Sequence, residues 1–310
     1  RLHLARHHAH RLFHTGGMNV LTAPLVWVGG CSYVASGFDA GQALELIDAG
    51  KITCFFGVPT MFDALARHPR FDAADFGEVE LVISGGAPCP APLFDALWAK
   101  GVPFKTGYGL TEAGPNNFWL PDPLVREKPG CVGYPLLHVD ARIVDEAGED
   151  APAATPGELL LRGPHVTPGY WGDEAATRAA LDAAGWLHTG DLALRDDDGV
   201  FRIVGRKKDM YISGGENVYP AEVESVLRSH SAVVEAAVIG EPHEKWGEVG
   251  HAHVVSSDPT LDAAALDAFL ASRLAKYQRP ARVSFHRALP QTGAGKVDRR
   301  ALQRAADSDP

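Results

Sequence analysis

Several short stretches of this sequence set a reactive or polar side chain among glycines. Tyr108 stands between Gly107 and Gly109, just ahead of Thr111 and Glu112. Flanking glycines let a backbone approach a ligand closely, and an exposed phenol ring can stack on a planar base. A tyrosine in such a turn can equally pack on a core. Thr111 offers a hydroxyl to a phosphate and Glu112 a hard carboxylate oxygen suited to Mg²⁺, or the two simply begin a helix. Ser84-Gly85-Gly86-Ala87-Pro88 closes an apolar run, either as a plain turn or as a turn of the kind that faces ligands. Asp191 follows Thr189-Gly190, where a carboxylate can accept hydrogen bonds from both hydroxyls of a ribose, although aspartate is common in turns as well. Arg206 adds a donor to the same ribose or is a surface cation beside a linker. Lys296 ends Gly293-Ala294-Gly295-Lys296, and the glycines give its ammonium reach. A Walker loop is excluded, because Val297 replaces the required Ser/Thr and Pro290 takes the place of the first glycine.

These residues need a frame, and 310 residues are too many for one ordinary core, so two or more packed domains are expected. Apolar residues at 45% and charged residues at 22% place the chain among globular proteins rather than disordered ones. With 29 basic against 39 acidic side chains the net charge is -10, which argues against a nucleic-acid partner. Cys31, Cys54, Cys89 and Cys131 lie far apart with no CxxC pair, so neither zinc nor a disulfide framework is suggested and a reducing, cytoplasmic setting fits. No transmembrane segment and no signal sequence are expected. His3, His7, His8, His10 and His14 cluster near the start, but without carboxylates or a structural frame they are not assigned a metal.

Apolar patterning supplies the elements. Asp39 and Gln42 form a capping box ahead of Ala43, Leu44 and Ile47, which recur at helical spacing. Residues 52–58 read as a buried strand, 60–67 as a helix, and 79–83 as a second strand. Strand, glycine turn and helix alternate here as in a parallel α/β sheet. From about Pro121 short β runs at 140–144, 158–162, 187–194 and 200–204 suggest a small antiparallel barrel or sheet. Beyond a charged junction at 205–209 come a helix at 221–229, strands at 233–239 and 251–256, and a helix with Leu266, Phe269, Leu270 and Leu274 on one face. The fold class is α/β: a partial large domain, residues 1–206, holding a parallel α/β part (about 12–120) and a β-rich part (121–206). A small mobile α+β domain follows over 207–310.

Taken together, Leu12-Phe13-His14-Thr15-Gly16-Gly17, Ser84 to Pro88, Thr106 to Glu112, Gly157-Glu158-Leu159, Gly169-Tyr170-Trp171, Thr189-Gly190-Asp191, Gly205 to Asp209, Gly214-Gly215-Glu216-Asn217 and Gly293 to Lys296 occur in an order that resembles the adenylate-forming, AMP-binding superfamily of acyl-CoA synthetases, luciferases and peptide-synthetase adenylation domains. The resemblance runs from Leu12 to the C-terminal region. It implies an ATP-dependent carboxylic acid:CoA ligase that forms acyl-AMP and pyrophosphate and then acyl-CoA and AMP, with ATP, Mg²⁺ and coenzyme A. Tyr219-Pro220-Ala221-Glu222 and Asn217 look like those of fatty-acyl and aryl-CoA ligases, the acid being fatty or aromatic.

Roles follow from the same resemblance. Gly85, Gly86, Ala87, Pro88, Tyr108, Gly109, Asp191 and Arg206 would bind nucleotide, and Lys296, Thr111 and Glu112 would be catalytic, with Glu112 on the metal. His14 would border the acyl pocket, or is a satisfied turn residue. Lys208 would be the hinge about which the small domain rotates between two poses. Gly214 and Gly215 would line a channel for the pantetheine thiol, walled by Trp246 unless that indole is in the core. A homodimer is kept open.

The family also carries a Ser/Thr/Gly-rich phosphate loop ending in Pro-Lys-Gly, and nothing in this chain matches it. Arg1 to Arg11 depart from the family's apolar strand. An incomplete large domain is therefore expected, exposing surfaces meant for its other half, with turnover only after restoration at the N-terminus. The competing functions are a noncatalytic fragment that binds nucleotide or a protein partner, and an acyl-AMP ligase that loads a carrier protein.

Overall fold

The computed structural model describes residues 7–8, 15–35, 37–292 and 296–306. The fold divides into two compact units, Arg1–Thr189 with Ala193–Ile203, and Gly190–Leu192 with Val204–Pro310.

In the first unit a side-chain cap sets a helix. The Asp39 carboxylate accepts from the Gln42 N–H at 2.7 Å and starts the helix Ala40–Asp48, which buries Ala43, Leu44 and Ile47. Strands Cys54–Gly57, Leu81–Ser84 and Phe104–Thr106 form a parallel sheet in that order, with helices Pro59–Ala66 and Ala91–Ala99 as the crossovers. Cys54–Gly57 is buried along its whole length, as a parallel strand covered on both faces must be. A chain of edge-on rings, Phe55 to Phe62 at 5.3 Å, Phe62 to Phe104 at 5.0 Å and Phe104 to Phe94 at 5.0 Å, ties two strands to both helices. Each such pair contributes about 0.5–1.5 kcal/mol beyond its burial.

Farther along, Asp140–Val144, Gly157–Arg162, Leu187–Arg195 and Phe201–Arg206 form a four-stranded sheet in chain order. The hydrogen-bonded path among the described residues has two ends, so of the two expected forms it is the sheet. Leu159, Leu161, Leu187, Ala193 and Phe201 supply its buried face. The first unit also leaves Trp27 91% exposed between Val26 and Val28, themselves exposed.

The second unit centres on the antiparallel pair Val233–His243 and Gly247–Ser256, joined by Arg282–His286 parallel to the latter and by the hairpin Tyr211–Ser213 and Glu216–Val218. Helices Pro220–Arg228 and Ala263–Ala271 cover one face through Val223, Leu227, Leu266 and Leu270. Leu274, expected on the second helix, lies past its end but is still buried. The C-terminal helix Arg299–Ala306 is fastened by charge. Arg299 donates to the Val238 carbonyl at 2.7 Å and pairs with buried Glu224 at 2.6 Å. Removing one partner of a buried pair of this kind costs about 3–5 kcal/mol.

The opposite sheet face carries polar groups with no counterpart in the sequence reading. The His251 ring bridges Glu241 at 2.5 Å and Ser284 at 2.8 Å, and His253 Nδ1 lies 2.9 Å from His286 Nε2. The His253 Nε2 is buried without a partner. Burial, reinforced by repulsion from His251, His286 and Arg282, pushes the His253 pKa down to about 4. The fold therefore holds His253 neutral, a stabilisation fully present above the unfolded histidine pKa and lost as pH falls toward about 4. Its loss amounts to roughly 2–3 kcal/mol. We expect the denaturant midpoint followed by Trp246 fluorescence to fall between pH 6.5 and 4, and to fall distinctly less in His253→Val. Parallel pH profiles for the two proteins would contradict this.

Candidate functional site

In the first unit the two glycine turns lie side by side at the carboxyl ends of neighbouring strands. Ser84 pairs with Thr106 across the sheet, and Gly107 N–H donates to the Ser84 carbonyl at 2.9 Å. Ligands of parallel α/β sheets bind at that edge. Gly85 is buried, while Gly86, Ala87 and Pro88 are exposed. The Ser84 hydroxyl is buried and unpartnered. Tyr108 is half-buried, its ring edge-on to Phe118 at 5.9 Å. Gly109 admits no side chain, since a Cβ there would sit 2.2 Å from the Pro115 carbonyl.

Thr111–Ala113 is a short 3₁₀ turn with Thr111 exposed and Glu112 half-buried. Glu112 is gripped from a distant loop. Its carbonyl accepts from Thr167 N–H at 2.7 Å and its Oε1 from the Tyr170 hydroxyl at 2.8 Å. That hydrogen bond is the main cause of a raised Tyr170 pKa, with burial second.

In the second unit Asp191 is 5% exposed and meets Arg206 Nε at 2.9 Å. Lys207 N–H donates to the Gly190 carbonyl at 2.9 Å, so the charged junction leaves Phe201–Arg206 beside the middle of Leu187–Arg195. Lys208 is exposed in the turn that follows, where the Asp209 and Met210 N–H groups both donate to the Arg206 carbonyl at 3.1 Å. Lys296 is held by its backbone, donating to Thr292 Oγ1 at 3.3 Å and accepting from Thr292 N–H at 2.7 Å. The residue as a whole is exposed, yet its ammonium lies among protein atoms. That crowding lowers its pKa, repulsion from Arg206 lowers it further, and Asp191 opposes both. Asp191, Arg206 and Lys296 thus share one electrostatic neighbourhood.

Gly214 and Gly215 form a two-residue hairpin loop with φ of +63° and +89°. Such a turn needs left-handed backbone at both positions, which glycine adopts without steric cost. Gly214 N–H donates to the Trp246 carbonyl at 2.8 Å, and the Trp246 indole, 42% exposed, lies over it. Trp246 is therefore a surface indole rather than a core one.

This disposition matches known proteins along nearly the whole chain. Residues 6–171 match the family described as AMP-binding enzyme, and residues 222–296 match the AMP-binding enzyme C-terminal domain. The chain belongs to the AMP-binding enzyme family. Among family relatives, a feruloyl-CoA synthase of Amycolatopsis sp is 44% identical over 287 residues, 92% of this chain and 58% of that protein. A 2-succinylbenzoate–CoA ligase of Geobacillus kaustophilus is 38% identical over 94% of this chain and 59% of its own length. ATP-bound MatB from Rhodopseudomonas palustris superposes with a TM-score of 0.89 at 35% identity, covering 97% of this chain and 60% of that one. The o-succinylbenzoate CoA synthetase of Bacillus subtilis, in complex with its acyl-adenylate intermediate, gives 0.87 at 34% identity, with 98% and 61% covered. The chain spans about three fifths of the length of these relatives.

Of the residues that the family resemblance singles out, His14 lies outside the described residues. His7 and His8 form a short strand parallel to Tyr33–Val34. Among the described residues no three histidines, cysteines or carboxylates converge on a metal position, and no helix is long and apolar enough to cross a membrane. Tyr170 and Thr167 were missed as partners of Glu112. The only sequence signal for that contact was the Gly169-Tyr170-Trp171 segment itself.

The hairpin gives a direct test. Gly214→Ala forces a left-handed residue, costing about 1–2 kcal/mol, and places a Cβ 3.0 Å from the Trp246 ring. We expect a lower melting temperature and a shifted Trp246 emission. An unchanged melt and emission would contradict the packing of Trp246 on this loop.

Proposed function

We propose that the chain carries the nucleotide-binding and thioester-forming machinery of an ATP-dependent carboxylic acid:CoA ligase. The supporting observation is the shared neighbourhood of Asp191, Arg206 and Lys296 in one unit, in a chain whose relatives include feruloyl-CoA, indoleacetate–CoA and long-chain-fatty-acid–CoA ligases. The 44% identity to a feruloyl-CoA synthase favours an aromatic acid over a fatty one.

In this reading Tyr108 stacks on adenine beside the backbone of Gly85, Gly86, Ala87, Pro88 and Gly109. The residues present suit a nucleotide: the unpartnered Ser84 hydroxyl and the crowded Gly109 leave polar backbone at the sheet edge without side chains in the way. Asp191 and Arg206 hold the ribose. Thr111 and Glu112 supply hard oxygen donors for Mg²⁺, which when bound would offset phosphate charge. The substrate carboxylate attacks the α-phosphorus and pyrophosphate leaves. Two anions meet at that step, and the Lys296 ammonium offsets the charge gathering on the nonbridging oxygens. A swing about Lys208 then withdraws Lys296 and brings Gly214, Gly215 and Trp246 up to guide the CoA thiol. The thiol sulfur attacks the acyl carbon, loses its proton, and AMP departs. His14 borders the acid in this scheme. The two domains of the scheme are residues 1–206 and 207–310, and catalysis takes place in the cytoplasm.

CoA-dependent AMP formation over a panel of aromatic and fatty acids tests the reading, run on this chain and on a form extended by an N-terminal phosphate loop. We expect turnover in the extended form, greatest with hydroxylated aromatic acids. Adenylation without CoA thioester would point to a carrier-protein ligase, and nucleotide binding without pyrophosphate release to a noncatalytic binder. In the extended form Lys296→Ala should slow adenylation by about 10²-fold or more and thiolysis of supplied acyl-AMP far less. Equal losses would remove the role given to Lys296.

A further inference from the structure

The grip on Glu112 has a consequence for which cation it takes. The Tyr170 hydroxyl donates to Oε1 at 2.8 Å, and no described residue donates to Oε2. The loop that brings Tyr170 is itself fixed. Thr167 N–H donates to the Glu112 carbonyl at 2.7 Å, and Tyr170 N–H donates to Thr177 Oγ1 at 2.9 Å. The Thr177 hydroxyl in turn donates to the Asp173 carbonyl at 2.8 Å. Gly169 admits no Cβ there, because it would lie 2.6 Å from Thr177. Glu112 is thus joined to this loop at its backbone through Thr167 and at its side chain through Tyr170, the latter across 58 positions of sequence.

A carboxylate with one oxygen held by a phenol presents the other oxygen to a cation. Small octahedral Mg²⁺ and Mn²⁺ are served by a single carboxylate oxygen, whereas Ca²⁺ takes six to eight oxygens and gains from a carboxylate that binds through both. We propose that Tyr170 is a positioning and specificity-determining residue that confines Glu112 to one-oxygen coordination and so selects Mg²⁺-like cations against Ca²⁺. This rests on the metal role given to Glu112 above. Tyr170 touches neither nucleotide nor cation in this proposal. It acts through Glu112.

The test is Mn²⁺ binding to the chain in the presence of ATP, read by electron paramagnetic resonance, with Ca²⁺ as the competitor. The proteins are wild type, Tyr170→Phe, Glu112→Gln, the double variant, and Trp171→Ala as a control at a fully exposed neighbour. Phenylalanine keeps the ring and its packing, and the melting temperature of Tyr170→Phe checks that the loop stays folded. We expect Ca²⁺ to displace Mn²⁺ at about 3–10-fold lower concentration in Tyr170→Phe than in wild type, a difference of about 0.7–1.4 kcal/mol. Trp171→Ala should compete like wild type, and Tyr170→Phe should add nothing in the Glu112→Gln background.

An unchanged Ca²⁺/Mn²⁺ ratio in Tyr170→Phe, or an equal change in the Glu112→Gln background, overturns the proposal. If wild type binds no Mn²⁺, or if Glu112→Gln binds it as wild type does, the metal role of Glu112 itself fails. That failure is read independently of the Tyr170 result.

Discussion

A buried carboxylate has to be answered by a positive group, and in this chain Asp191 is answered by Arg206. The pair joins the middle of Leu187–Arg195 to the last residue of Phe201–Arg206 at 2.9 Å, with Asp191 5% exposed and the arginine side chain half exposed. An unpaired carboxylate at that depth would be strongly disfavoured. The pairing therefore fixes where Phe201–Arg206 ends and where the turn bearing Lys208 departs, and the Lys207 N–H bond to the Gly190 carbonyl repeats the constraint on the backbone. The same guanidinium depresses the Lys296 pKa while Asp191 raises it. One ion pair thus anchors the junction and tunes the ammonium assigned to adenylation.

Lys296 also depends on its own unit. Arg299, shortly beyond it in sequence, spans the Val238 carbonyl and the Glu224 carboxylate, and Glu224 further accepts from Val238 N–H at 2.8 Å. The segment carrying Lys296 is in this way pinned three residues beyond it.

Local chemistry made much of this legible. The Asp39 cap, the buried parallel strands and the alternation of strand with helix follow from patterns within a few residues, and they appear with shifts of one or two positions. The paired glycines at 214 and 215 read only as part of a channel, and the hairpin they close emerges from the strand pairing of Tyr211–Ser213 with Glu216–Val218. Contacts set by register were not legible. Tyr170 reaches Glu112 through a folded loop, and Glu241, His251 and Ser284 meet only because three strands align. Trp246 could be read as core or as surface from its sequence, and only the position of its loop over Gly214 decides.

In the proposed scheme Lys296, Asp191 and Arg206 form one site. Its most direct test is an NMR titration of Lys296 after ¹³C-methylation, in the wild type and in Arg206→Gln and Asp191→Asn. The lysine should titrate below the ordinary lysine range, rise toward it in Arg206→Gln and fall further in Asp191→Asn. An ordinary titration, unmoved by either substitution, would contradict a shared site.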